Sequence, residues 1–373
     1  MNILILKFPH NSALGGGELH TLQLFSALQQ RDHKFYLASS CSVLLPEFIK
    51  RKWPVQKVWL GREPVSISGL IIFTLLSPYL CWRLFFLLLK YKTKYKTDKL
   101  YCLSLTEKLL ATVPAKLLGY SVYWMEHLRI ERWLRQNPYR FLYVWLSNLT
   151  TTITVSQAVK RQLVDLGLKD KNVTVIYNGI DTGKFKPDPL PSTRYSQLPT
   201  IGTVCRLCPE KGVDYLIKAF QQVVKQNPEV ELQIAGEGPE KENLQKLASE
   251  LGLKDKVKFL GFVKNTPKFL NQIDIFALTP TRREAFGIAA AEASACGKPV
   301  VTTNISGLTE VVENNKTGLV VENKNIEQIS SALVKLVGDE NLRQEMGASG
   351  QRRVEKYFTV EKMVGKFEEV FVK

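Results

Sequence analysis

Short apolar runs alternate along this chain with stretches whose apolar residues recur at helical spacing. The runs Asn2–Lys7, Lys34–Ala38, Lys99–Leu103, Ser121–Trp124, Thr152–Val155 and Val173–Tyr177 read as buried strands. Behind the first come Gly15, Gly16 and Gly17, then a helix carrying Leu19, Leu22, Leu24, Phe25 and Leu28. Such alternation predicts parallel strands joined by crossover helices. From Asn178 to Pro199 the pattern lapses into a loop with Pro187, Pro189, Pro191 and Pro199, which reads as a linker. Alternation then resumes with Thr200–Val204, Glu231–Ala235, Val257–Phe259, Ile275–Leu278, Pro299–Thr302 and Gly318–Val321, and helices such as Asp214–Lys225 and Glu240–Leu251. The fold class is therefore α/β, two doubly wound units facing across a cleft at their strand C-termini, where such sheets bind ligands. A length of 373 residues agrees, because a single core usually stops growing before that.

One stretch breaks the rhythm. Pro64 to Trp82 holds 19 residues without a charge, and Leu84–Leu89 extends it past Arg83. Length alone makes it a candidate to cross a membrane. Gly69, Pro78 and Arg83 interrupt it, and strands that must share one sheet lie on both sides. The expectation is a hydrophobic helix pressed into one leaflet, with Lys90, Lys92, Lys94, Lys96 and Lys99 following at once. A long core helix is the plain alternative. Charge points the same way: residues 1–185 hold 25 Lys/Arg against 11 Asp/Glu, while residues 186–373 hold 26 against 24. All six Trp lie in the first part. The basic residues follow no nucleic-acid-binding motif, so nucleic acid is not an expected partner. An anionic membrane suits Trp and Tyr as well as Lys and Arg, although a solvated basic face would look the same.

Six scattered cysteines suit buried thiols in a reducing cytosol. Cys205 and Cys208 have the spacing of a metal knuckle, but no second pair or nearby His completes four ligands. The apolar N-terminus is too short for a signal peptide and reads as a first strand.

The chemistry concentrates in the second unit. Glu284 falls in the loop after an apolar strand, and Glu292 inside the second turn of a small-residue helix starting near Gly287. The free N–H groups of that helix start favour phosphate. Two carboxylates around a phosphate site suggest a ligand offering hydroxyls, such as a sugar or ribose. Arg206 and Lys211 follow strand 200–204 and could pair with a diphosphate, Arg by a bidentate fork and Lys as a point charge. Alone, they read equally as a surface pair. Gly236 ends the next strand, where a glycine lets backbone approach a ligand. In the first unit, His127 follows a strand and so is expected to face the cleft, while Gly15–Gly17 lack the spaced glycines of a dinucleotide fingerprint. No Asp-x-Asp pair occurs in the chain.

Together these residues resemble the GT-B glycosyltransferases, specifically the retaining family 4, also called group 1. The likeness is continuous over roughly residues 198–322: Gly202-Thr-Val-Cys-Arg206 with Lys211-Gly212, Ala235-Gly-Glu-Gly-Pro239, Phe259-Leu-Gly261, Glu284-Ala-Phe-Gly287, Glu292-Ala-Ser-Ala-Cys-Gly-Lys-Pro-Val300, Gly307-Leu-Thr-Glu310 and Thr317-Gly-Leu319. The first unit matches more loosely, through Gly15-Gly-Gly-Glu18, Val155-Ser156 and Tyr177-Asn-Gly-Ile-Asp181 with Phe185.

The resemblance implies two Rossmann-like domains, 1–186 on the acceptor side and 187–356 for the nucleotide sugar, with helix 357–373 packing back on the first. It implies that Glu284 holds donor-sugar hydroxyls and Glu292 the ribose. Arg206 and Lys211 would neutralise the diphosphate, assisted by backbone N–H groups of Phe286, Gly287 and Ile288. His127 would sit beside the transferring sugar, and the Gly16–Gly17 loop would close on donor phosphate or acceptor. The implied donor is UDP- or GDP-linked, with no cofactor and no metal. A glycan or lipid-linked acceptor, met by a peripheral protein at the cytoplasmic face of the cell membrane, is the expected partner. An epimerase or hydrolase acting on nucleotide sugars, or a non-catalytic nucleotide-sugar or nucleic-acid binder, are the rival readings.

Overall fold

The computed structural model describes residues 1–8, 15–59, 61–127, 132–188, 199–282 and 284–372. They form two compact units, Met1–Tyr177 with Met363–Lys373, and Asn178–Lys362. The first runs β1 (Asn2–Lys7), α1 (Gly16–Gln29), β2 (Lys34–Ser39), α2 (Leu44–Lys50), β3 (Val55–Lys57), α3 (Ile67–Tyr95), β4 (Lys99–Cys102), α4 (Leu105–Leu117), β5 (Ser121–Glu126), α5 (Arg132–Arg135), α6 (Arg140–Ser147), β6 (Thr151–Thr154), α7 (Gln157–Leu166) and β7 (Val173–Val175). Its strands pair in parallel in the order β3-β2-β1-β4-β5-β6-β7, so Ile3 lies between Phe35 and Lys99. Ile3 to Leu6 are fully buried, as expected of a central strand covered on both faces. The direction of strand addition reverses between β1 and β4, the switch point where doubly wound sheets place their ligands.

The second unit continues with β8 (Thr200–Val204), α8 (Val213–Gln226), β9 (Glu231–Ala235), α9 (Lys241–Glu250), β10 (Val257–Gly261), α10 (Thr266–Gln272), β11 (Ile275–Leu278), α11 (Ile288–Ala295), β12 (Val300–Thr303), α12 (Leu308–Val311), β13 (Gly318–Val321), α13 (Ile326–Gly338) and α14 (Glu340–Tyr357). Its parallel order is β10-β9-β8-β11-β12-β13, and the switch falls between β8 and β11. The core joins Ile201, Leu232, Ile234 and Ile275 of the sheet to Phe220 of α8 and Leu333 of α13. Finally α15 (Val360–Val372) enters the first unit. There Phe371 meets Tyr123 edge-on at 4.7 Å, and the Tyr123 hydroxyl donates to the Val370 carbonyl at 3.2 Å.

The structure departs from the sequence reading in four places. β3 and α2 are additions, because a three-residue edge strand leaves almost no apolar signal. The supposed linker from Asn178 belongs to the second unit as far as Asp188, so residues 178–186 do not close the first. Ile180 N–H donates to the Phe358 carbonyl at 2.7 Å, and Val360 N–H to the Ile180 carbonyl at 3.2 Å. That same pairing keeps 357–362 with the second unit, and only Met363 onward joins the first. Pro189 and Pro191 lie outside the described residues. Gly16 and Gly17 are the first turn of α1 rather than a loop.

The fourth departure concerns residues 64–89. α3 is 29 residues long, runs through Pro78 and includes Lys90, Lys92 and Lys94 in its last turns, ending at left-handed Lys96. Lysines there complement the helix dipole. Among the described residues it is the helix long and apolar enough to cross a membrane by length and composition. Yet it is the crossover between β3 and β4, it packs on α4, and Phe73, Leu80, Leu84, Leu88 and Tyr91 are buried. Its other face leaves Ile67, Ile71, Leu75, Tyr79, Trp82 and Phe86 exposed. The helix thus packs into the unit along one face and leaves an apolar face exposed along the other.

Candidate functional site

At the switch point of the second unit, the loop after β8 is strapped to the loop after β11. Thr279 Oγ1 donates to the Gly212 carbonyl at 3.0 Å, and Thr281 N–H to the Glu210 carbonyl at 2.9 Å. Gly212 has φ +62, and a Cβ there would lie 2.1 Å from the Thr279 carbonyl oxygen, so glycine permits the strap. A 3-10 turn over Pro209–Lys211 then delivers Lys211 to Glu284, Nζ to Oε2 at 2.7 Å. Burial works to lower the Lys211 pKa most, but the Glu284 charge and hydrogen bond outweigh it and hold the ammonium above its ordinary value. Arg206 points outward, its side chain 64% exposed, with Nη2 3.3 Å from Glu210 Oε1. One cation is therefore fixed and the other is available to a ligand.

The Glu284 backbone is set by a residue the sequence reading quoted but gave no role. A Cβ on Gly307 would fall 2.4 Å from the Ala285 carbonyl carbon and 2.6 Å from the Glu284 oxygen. Only glycine lets the α12 start pass under that loop. Phe286 is buried against Phe358, ring centroids 5.4 Å apart. Gly287 caps α11 at φ +98, which aims the first N–H groups, from Ile288 on, out of the helix end. Glu292 lies in the second turn of α11. Burial raises its carboxyl to about 7, and the Lys184 ammonium pulls the other way. Lys184, in the segment read as linker, is a further residue that no local pattern marked. Gly236 has φ +143 and packs on protein rather than open space: its Cβ would sit 1.8 Å from the Cys205 carbonyl oxygen. This glycine sets the height of the Cys205–Leu207 loop and hence of Arg206.

In the first unit, His127 directly follows β5. Its ring rests on the first turn of α1, where a Cβ on Gly17 would be 3.3 Å away, and meets His20 edge-on at 4.7 Å. Burial, then His20, Lys7 and Lys108, hold its pKa well below 6.5, so it is neutral. Its Nε2 has no partner among the described residues. Beneath it Glu126 accepts from Lys108 Nζ at 2.5 Å and Tyr143 Oη at 2.6 Å, all three buried. Gly15 N–H reaches Glu18 Oε2 at 3.3 Å, and Lys7 lies 3.8 Å from Glu18. His20, Lys108 and Glu126 escaped the sequence reading because only the sheet brings them to His127. The structure gathers Lys211, Glu284, Gly236 and Gly287 around one switch point, and His127, Gly16 and Gly17 around the other.

Two family models divide the chain between them: Glycosyltransferase Family 4 matches residues 14–184, and Glycosyl transferases group 1 matches residues 188–353. A GDP-mannose-dependent alpha-(1-6)-phosphatidylinositol monomannoside mannosyltransferase of Mycobacterium tuberculosis is 36% identical over 190 residues, 47% of this chain and 49% of that protein. The capsular polysaccharide biosynthesis glycosyltransferase CapM of Staphylococcus aureus is 33% identical over 222 residues, 56% and 58% of the two chains. The chain thus spans about half the length of the curated relatives it matches. Among solved structures, Anabaena HepE in complex with UDP superposes over 100% of both chains with a TM-score of 0.84 at 22% identity. With two such sheets and both family models matched, the chain belongs to the group 1, or family 4, glycosyltransferases and has the GT-B fold.

Proposed function

We propose that this protein moves a sugar from a nucleoside-diphosphate donor to an acceptor, with the anomeric configuration retained. The observation that carries the reading is the Lys211–Glu284 pair at the sheet's switch point, beside the glycine-capped start of α11. As the diphosphate leaves, negative charge grows on it. Lys211 and Arg206, with N–H groups of Phe286, Gly287 and Ile288, supply the stabilisation such a leaving group needs. Glu284, already held by Lys211, accepts from hydroxyls of the donor sugar, and Glu292 from the ribose. Gly236 sets the loop, Gly17 leaves room for the His127 ring, and exposed Gly16 gives the ligand access to backbone. Neutral His127 touches the transferring sugar and offers a hydrogen bond without adding charge beside an oxocarbenium-like centre. Neither metal nor cofactor enters this reading, and front-face attack accounts for retention without a protein nucleophile.

The donor is UDP- or GDP-linked: a relative's name carries GDP-mannose and a structural neighbour was solved with UDP. The acceptor in this proposal is a lipid-linked or envelope glycan intermediate at the cytoplasmic face of the membrane, which the protein visits peripherally. Names of relatives that act on a phosphatidylinositol mannoside and in capsule synthesis support that class, as does the exposed face of α3. The test is thermal stabilisation by UDP, GDP and ADP, followed by label transfer from the matching nucleotide sugars into a membrane lipid extract. A ligand at about a hundredfold its Kd adds about 2.7 kcal/mol. Free sugar or isomerised donor formed without acceptor would favour a hydrolase or epimerase. Binding without turnover would leave a binding protein.

A further inference from the structure

Between β3 and the outer face of α3 lies an open cavity of about 270 Å³ with Lys57, Arg83 and Lys90 on its walls, beside Gln56 and Phe86. No carboxylate is among its described lining residues. Arg83 Nη1 donates to the Trp59 carbonyl at 3.3 Å and Lys90 Nζ to Gln56 Oε1 at 3.2 Å, both neutral acceptors that leave the positive charge in place. Phe86 is also the end of an exposed aromatic row. Trp82 meets it edge-on at 5.0 Å and stacks on Tyr79 at 6.4 Å, and Leu75 and Ile71 continue the row up the helix. Cations at one end of a continuous apolar stripe form the pattern of a helix lying in a membrane interface.

We propose that this cavity receives the phosphate of an anionic phospholipid headgroup while Ile71, Leu75, Tyr79 and Trp82 enter the acyl boundary of the same leaflet. The inference rests on the membrane-resident acceptor proposed above and names the surface that reading requires. Arg83 offers a planar fork to two phosphate oxygens, and Lys57 and Lys90 add point charges. A volume below the roughly 300 Å³ at which drug-sized pockets begin suits a headgroup better than a nucleotide sugar. The apolar row leading away from the cavity gives acyl chains a path that a nucleotide would not use.

The experiment is co-sedimentation of the full chain with phosphatidylcholine vesicles, with and without phosphatidylglycerol. The wild type should bind the phosphatidylglycerol vesicles alone. Lys57→Gln/Lys90→Gln should bind them roughly 25-fold less, about fivefold for each charge removed. The charge-matched control Lys169→Gln/Lys171→Gln, exposed elsewhere in the unit, should bind nearly as well as wild type, and Trp82→Ser should lose affinity. An unchanged melting temperature shows that each variant is folded. If both double variants weaken equally, the face is diffusely basic and the cavity is refuted, while the membrane reading stands. If Trp82→Ser binds like wild type, the inserted row is refuted. If inorganic phosphate displaces the protein from vesicles and stabilises it without lipid, the site is one for soluble phosphate. A wild type that binds no vesicle overturns the inference together with the membrane reading.

Discussion

Lys211→Met tests the centre of the second unit most directly. The pair is 2.7 Å apart with side chains 22% and 15% exposed. At an effective dielectric near 20, charges at that separation attract by about 6 kcal/mol before desolvation is subtracted. Removing one partner of a fully buried pair costs about 3–5 kcal/mol, because the other charge is stranded. Partial exposure lets water reach Glu284, so about 2–3 kcal/mol is expected here. The unit spans residues 178–362, and for a domain of that size the loss corresponds to roughly 5–10 °C in melting temperature. Urea melts, which leave ionic strength unchanged, measure it. The companion Lys211→Met/Glu284→Gln removes the stranded charge and should recover most of the stability. Nucleotide affinity should stay low in both variants, because the cation proposed to meet the diphosphate is gone. Additive destabilisation in the double variant would show that the two residues are not energetically paired. Full nucleotide affinity in Lys211→Met would refute the phosphate role.

Three further predictions rest on separate observations. With Glu292 raised to about 7 and, in the function proposed above, acting on ribose as a carboxylate, nucleotide Kd should rise about tenfold for each pH unit below that value; isothermal titration across pH checks this, and Glu292→Gln should bind weakly with no such slope. Glu107 is buried and raised to about 7, chiefly by burial and then by Glu63. The folded state therefore holds its proton more tightly than the unfolded chain does. Its contribution is present below pH 4.5 and is lost, by about 3 kcal/mol, as pH rises through 7. Glu107→Gln can still accept from Leu103 and Ser104 N–H, so it should gain stability at pH 8 and none at pH 4, as followed by urea melts. Gly236→Ala, whose Cβ would strike the Cys205 carbonyl at 1.8 Å, should cost about 4 kcal/mol or more. Gly252→Ala, with φ +73 but nothing within 4 Å, should cost about 1–2 kcal/mol in the same melts.

Periodicity alone carried the parallel α/β class, because a strand buried on both faces must be apolar throughout and its crossover helix apolar on one side. Glu284, Glu292, Arg206 and Lys211 were legible as candidates because each lies just past a strand or inside the helix that follows one. The same local logic misplaced the junction. Proline and glycine at 178–188 look like a linker, yet Ile180 pairs with Phe358 across 178 residues of chain, and no local pattern encodes that pairing.

The sequence by itself determined the two doubly wound sheets, the asymmetry of charge and the residue types at the strand ends. Only the tertiary structure decided what those residues do to one another. Lys211 meets Glu284 because Gly212 and Gly307 let backbones approach within the space of a Cβ. His127 is neutral because the fold buries it and then brings His20, Lys7 and Lys108 beside it from other elements. The 64–89 stretch is both core and open surface because a crossover helix must cover its sheet with one face and nothing among the described residues covers the other. Hydrophobic pattern is a property of neighbouring residues, whereas ion pairs, desolvation and close backbone contacts depend on distances that exist only once the sheet has brought remote residues together.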